Sequence, residues 1–332
     1  MRRIATEEAF GVPEQFDAMR DVVAAASDYH PDLWLWNKTL SGGVIHDRLL
    51  DLDGERLEIM DKAGIDLQLL SLTSTGVQML EPEVAAEVSI AANDQLAAAI
   101  DRHPGRYAGL ATVPPQNPGA AVKEIERAIG ALGLNGIVIN SHTNGEFLCE
   151  PHYAPILEAI EAHNVPLYIH PRSPGPQHRD AYREDQLEHA ILGYAAETCL
   201  HALRLITAGV FDDFPTLNVV LGHMGEGIPY WLYRIDYMHE MTARMGMKRR
   251  VLKRKPSEYF HDHFTITTSG VNWNPPLEYN VGVLGADKVM FAVDYPYQET
   301  FEAVDWMNNV PLADDIKRAV FSGNAERIFG ID

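Results

Sequence analysis

Cysteine is nearly absent from this chain: two residues in 332, Cys149 and Cys199, with no Cys-x-x-Cys spacing. That scarcity excludes a thiolate zinc site and a disulfide framework. Positive charge is also short, with 27 Lys and Arg against 47 Asp and Glu and a net charge of −20. Neutralising phosphates needs a basic face, so nucleic acid is excluded as a partner. The one basic run, residues 248–255 (KRRVLKRK), reads as a solvated face. No apolar run approaches the length of a membrane span, and the opening MRRIATEEAF lacks the apolar stretch of a signal peptide. The expectation is a cytoplasmic protein that makes no membrane contact. Missing too is any Gly-x-Gly-x-x-Gly after the first strand candidate, which leaves a dinucleotide-binding fold without support.

What the chain does contain is one short pattern, used again and again. A brief apolar run ends on a polar residue or a turn, and a helical pattern follows. Residues 3–6 lead to Glu7, 67–72 to Thr73, 107–113 to Pro114, and 136–139 to Asn140. Residues 167–169 lead to His170, 218–221 to Gly222-His223, 264–268 to Ser269, and 289–293 to Asp294. Helical patterns such as 83–102, 120–132, 155–163 and 193–208 fall between them. Eight such alternations of doubly buried strands predict an α/β fold, a single (β/α)8 barrel domain over 1–332. Residues 11–51, with Trp34 and Trp36, form an insertion after the first strand, read as a lid, an interface or a small satellite core.

Barrel enzymes keep their chemistry at the carboxyl ends of the strands. Glu7, His170, His223 and Asp294 all fall there. Singly, each has a bland reading: a core histidine, or a carboxylate capping a turn. As a set, two carboxylates and one or two imidazoles converging on one mouth describe a divalent metal site with open positions. With Glu7, His170 and Asp294 as ligands the donors are two oxygens and one nitrogen. That set suits Mn2+ or Mg2+ at least as well as Zn2+. Glu226 lies three residues after His223, placed to orient and charge the imidazole. Arg234, eight residues beyond Glu226, returns close to the same helical face and is suited to gripping a carboxylate.

The segments EEAF, NSHTNGEFL, PLYIHP, GHMGEGIPYWLYRIDYMH, DYPYQ and FSGNAERIFG occur in that order across the whole chain. Together they resemble the amidohydrolase-superfamily decarboxylases related to aminocarboxymuconate-semialdehyde decarboxylase, a group that includes the ortho-hydroxybenzoate (resorcylate-type) enzymes. The resemblance is greatest to the 5-carboxyvanillate branch. It implies a metal held by Glu7, His170 and Asp294, with His223 and Glu226 as catalytic partners of the aspartate. It also implies Arg234, Tyr297 and Thr73 around the substrate, and a homodimer or homotetramer. Many members carry a histidine two residues after the first-strand acid, where this chain has Ala9. Losing that nitrogen ligand favours manganese over zinc. The expected activity is non-oxidative decarboxylation of an ortho-hydroxy aromatic acid, with no organic cofactor; the rival is a metal-dependent hydrolase or hydratase.

Overall fold

The computed structural model describes residues 1–247 and 250–332. Its eight strands are β1 (Ile4–Phe10), β2 (Leu67–Leu72), β3 (Tyr107–Thr112), β4 (Gly136–Asn140), β5 (Leu167–His170), β6 (Val219–Leu221), β7 (Phe264–Thr267) and β8 (Val289–Met290). They are parallel and pair in sequence order, β1 to β8, with helices between them, and this is a (β/α)8 barrel. Alternation along each strand divides the side chains into two layers. Leu67, Leu69, Leu110, Val138, Tyr168, Val220 and Met290 pack together in the barrel. Residues of the other phase, such as Leu70, Ile137, Ile139, Ile169 and Leu221, pack in the larger cluster shared with the helices.

The helices Pro82–Arg102, Pro118–Gly130, Ala154–Ala162 and Gly193–Ala208 lie within two residues of their expected limits. Proline near the start of the first three explains their sharp beginnings, since its missing N–H is no loss there. Asn117 adds a side-chain cap, accepting from Ala120 N at 3.1 Å.

Two strands differ from expectation by more than one residue, and both border the site. The first does not stop before Glu7 but runs to Phe10. Its register with β2 passes from Ala5↔Gln68 to Glu8↔Leu70, so two residues, Thr6 and Glu7, oppose Leu69 alone. This bulge reverses the strand's phase. Glu7 and Ala9 then face the interior, and Glu8 faces the other way. The eighth strand was expected over 289–293, yet only Val289 and Met290 pair with β7. Beyond them Phe291 O accepts from Thr6 N at 3.1 Å, and Tyr295 O accepts from Ala9 N at 2.7 Å. The seam between the last and first strands is therefore stitched by scattered bonds, with no regular ladder.

The insertion over 11–51 carries the helices Pro13–Ala25, Pro31–Leu35 and Val44–Leu50. Trp36 is buried against Phe16, ring centroids 5.1 Å apart, while Trp34 is exposed. A buried ion pair fastens this insertion to the loop after β5: Asp32 accepts from Arg172 at 2.7 Å and from Ser173 N at 3.1 Å. Of the basic run, Lys248 and Arg249 lie outside the described residues; Arg250 and Arg254 pair with Asp213 and Asp262. No helix among the described residues is long and apolar enough to cross a membrane.

Candidate metal centre and active site

Glu7 enters the barrel mouth because of the β1 bulge, and the surrounding strands treat its two oxygens differently. Oε2 accepts from Thr267 Oγ1 at 2.8 Å and from the hydroxyls of Tyr168 and Ser269. Oε1 is buried with no hydrogen-bond partner. An unpaired carboxylate oxygen removed from water is costly, and an approaching cation removes that cost.

Further groups that could hold the same cation stand nearby. His170, at the end of β5, donates from Nδ1 to Pro171 O at 2.9 Å. That bond fixes the tautomer and leaves Nε2 as a lone pair, 3.6 Å from Glu7 Oε1. Asp294 follows the eighth strand in a left-handed backbone conformation, φ 76°. One ligand atom from each of Glu7, His170 and Asp294 lies within 4.8 Å of the others. Gly222 completes the enclosure from β6: a Cβ there would sit 2.6 and 2.7 Å from Glu7's two oxygens. These residues fit a divalent metal ion, and two carboxylates with one imidazole fit a hard or borderline one.

The stretch after β6 has an unusual backbone. His223, Met224, Gly225, Glu226 and Gly227 all have positive φ, from 47° to 76°. Left-handed conformations in non-glycine residues cost about 1–3 kcal/mol each and persist where the surroundings fix them. Here His223 N donates to Ser269 Oγ at 3.0 Å. The result brings His223 Nδ1 within 2.9 Å of Glu226 Oε1, and Nε2 within 3.9 Å of both Glu7 and Asp294. The helix Ile228–Arg244 then begins, as the glycines suggest.

Charge in this cluster is shared unequally. Burial pulls His223 down, but the carboxylates of Glu226 and Glu7 outweigh it and hold the imidazolium well above its ordinary range. Burial pushes Glu7 up, yet His223 and the hydroxyl donors bring it below the usual carboxylate value. Asp294 moves the other way, raised by burial and by the charge on Glu7 despite the nearby His223. Two carboxyl groups at one mouth thus have opposite tendencies.

Of the expected substrate-binding residues, Thr73 and Tyr297 meet across the mouth and share a hydrogen bond. Burial pushes the Tyr297 phenol well above its ordinary range. Arg234 does not join them. It is exposed on the helix Ile228–Arg244, on one face with Tyr230, Tyr233 and Tyr237. An open, largely apolar cavity of about 530 Å³ leads from His223 past Met224, Pro229, Trp273 and Tyr279. Tyr168, Ser269 and Gly222 were not expected among the site residues. Tyr168 had a signal, since it lies two residues before His170 and so faces the same way.

Known proteins match this architecture along its length. The amidohydrolase family model matches residues 27–331. The crystal structure of 5-carboxyvanillate decarboxylase from Sphingomonas paucimobilis is 46% identical, covering 100% of this chain and 99% of that one, with a TM-score of 0.96. The enzyme of the same name from Novosphingobium aromaticivorans, complexed with manganese and 4-hydroxy-3-methoxy-5-nitrobenzoic acid, is 39% identical at a TM-score of 0.96, covering 99% of this chain and 96% of that one. The gamma-resorcylate decarboxylase of Rhizobium radiobacter is 35% identical over 341 residues, 99% of this chain and 98% of that protein. The resemblance read from the motifs is borne out, and the chain belongs to the amidohydrolase family.

Proposed function

We propose that the protein is a metal-dependent, non-oxidative decarboxylase of an ortho-hydroxy aromatic acid, with 5-carboxyvanillate or a near relative as substrate. The observation that carries this reading is the buried, unpartnered Oε1 of Glu7, facing His170 with Asp294 alongside. Manganese is the ion we assign, with Mg2+ or Zn2+ as alternatives; the enzyme from Novosphingobium aromaticivorans, with its bound manganese, supports the choice. Glu7, His170 and Asp294 would hold such a cation, which would supply Lewis acidity beside the substrate's hydroxyl and carboxylate.

The chain's own groups do the rest. Glu7 and His170 are held rigid, one by three hydroxyls and the other by Pro171 O. Asp294 is the proton donor we assign, its carboxyl raised by burial beside Glu7. It delivers the proton to the ring carbon that bears the carboxylate, and the ring becomes a keto form. The carbon–carbon bond then breaks, carbon dioxide leaves, and the bonding pair returns to the ring. His223, charged and oriented by Glu226, balances the anion that Asp294 becomes. Thr73 and Tyr297 line the substrate's place, and the apolar cavity beside His223 suits a flat ring. This chemistry requires no organic cofactor and no oxygen.

The test is a panel of ortho-hydroxybenzoates with the Mn2+-loaded protein, following carbon dioxide. Release from 5-carboxyvanillate supports the reading. Substrate loss with 18O uptake from water and no carbon dioxide would move the site to hydrolase or hydratase chemistry.

Two finer parts of the reading concern the surface. Tyr230, Tyr233 and Trp273 are 75%, 82% and 64% exposed, a cost that a second copy of the chain would remove. We therefore assign a homodimer or homotetramer, and place Arg234 as a substrate-recognition residue acting at that contact. Arg234→Met is expected to lower kcat/KM for a dicarboxylated ring by about 10- to 150-fold, the loss of one charged hydrogen-bond partner. A salicylate-type ring is expected to lose far less. Equal losses on both rings, or a wild-type protein sedimenting only as monomer, would overturn this placement. A cytoplasmic location, supported by two free thiols, completes the assignment; recovery from a secreted fraction would contradict it.

A further inference from the structure

We infer that Glu8 is a positioning residue that holds Asp294 in place across the barrel seam. The inference rests on the metal-site reading for its consequence, though its geometry stands independently. Glu8 is fully buried and, as the next residue of the strand, faces away from Glu7. Its Oε1 accepts from Val293 N at 2.9 Å, and its Oε2 accepts from Tyr295 N at 3.2 Å. Those two amides flank Asp294. One carboxylate therefore grips the chain on both sides of a residue held at φ 76°.

The need for such a grip follows from the fold. A strand continuing past Met290 would ordinarily pair its amides with β1. Beside the bulge that pairing is interrupted, and the β1 backbone donates across the seam from Thr6 N to Phe291 O and from Ala9 N to Tyr295 O. Glu8 supplies the acceptors that the backbone then lacks. Behind it, Gln68 Nε2 approaches Glu8 Oε2 at 3.5 Å, and Gln68 Oε1 accepts from Arg56 at 3.2 Å. Arg56 also donates to Ala9 O at 2.7 Å, and its guanidinium lies 4.6 Å from the Tyr295 ring centroid. The carboxylate is thus braced against β1, β2 and the segment after β8. The bulge does two things at once: it aims one glutamate at the metal position and sets the next to fix the aspartate opposite.

Glu8→Gln keeps the shape but presents an amide N–H2 to one of the two backbone donors. The expected result is Mn2+ binding weakened about 10- to 100-fold, the usual range for losing a group that orients a ligand. The electron paramagnetic resonance spectrum of the bound Mn2+ should change, and kcat should fall more than KM rises. Leu205→Ala, a cavity variant in the outer helix layer, serves as control: it lowers Tm and leaves Mn2+ affinity alone. A folded Glu8→Gln protein with wild-type Mn2+ affinity and spectrum would overturn the inference. Amide hydrogen exchange of the wild-type protein covers the case in which the variant does not fold. Val293 and Tyr295 should be protected even without metal, and rapid exchange at both overturns the grip. A wild-type protein that shows this protection but binds no Mn2+ would sink the metal-site reading and the positioning role that depends on it, leaving a seam clamp alone.

Discussion

Asp294→Asn is expected to lose essentially all turnover, about a thousand-fold or more, even with saturating metal. General acid catalysis alone contributes about 10²- to 10⁴-fold. The amide also removes one of the two carboxyl groups assigned to the metal, so metal retention and proton delivery should fall together. The backbone should tolerate the change, because asparagine accepts the left-handed conformation that Asp294 adopts at φ 76°. Circular dichroism and Tm close to wild type would therefore accompany the loss. Steady-state rates on the best substrate of the panel, with elemental analysis of the same sample, separate the two effects. Near-normal turnover in a metal-replete variant would end the role assigned to Asp294.

Gly222→Ala is expected to be nearly as damaging, though the residue carries no functional group. Its backbone, φ −72° and ψ −172°, suits any residue, so the cost is steric alone. The new methyl would arrive 2.6 Å from one oxygen of Glu7 and 2.7 Å from the other. A free carboxylate would swing aside at little cost. This one is pinned through Oε2 by Tyr168, Thr267 and Ser269, so moving it breaks three hydrogen bonds with it. Displacing Oε1 spoils the metal position, and affinity for Mn2+ should drop by at least about 10- to 100-fold, as when a ligand is wrongly oriented. Competition against a chelating indicator measures this directly. Wild-type affinity in a folded Gly222→Ala protein would show that Glu7 is not held where the ion sits.

The two variants also mark where sequence reading succeeds and where it stops. Asp294, His170 and His223 were legible because each ends an apolar run, and a barrel places strand ends at one mouth. Glu7 was legible as a candidate but for an incomplete reason. Its strand was expected to stop before it, whereas the strand continues and the bulge turns it inward. A bulge leaves no mark in composition, because any residue can occupy one. Gly222 was read as a strand ending; the steric need for glycine exists only once Glu7 is across from it. Glu8, beside Glu7, had no periodic signal of its own, since its partners Val293 and Tyr295 are backbone amides some 285 residues away in sequence. The limits of the eighth strand failed for the same reason: residues 291–293 are apolar and buried, as a strand would be, but side chains satisfy part of their backbone. Arg234 reads from spacing as a residue near the mouth, and the helix places it on the exposed face.

The run of left-handed residues from His223 to Gly227 has a consequence for the choice of amino acids that evolution or an engineer can place there. At Met224 and Glu226 the backbone angles, φ 57° and 54°, weigh against every β-branched side chain before any contact is considered. Asparagine, aspartate and glycine are the natural tolerated set at such angles. A comprehensive substitution library over these five positions should therefore be sorted first by backbone shape and only then by chemistry. Valine, isoleucine and threonine should be depleted at position 224 even though Met224 itself is apolar and buried. The turn is a narrow gate in the space of permitted sequences, set by geometry that hydrophobicity alone does not encode.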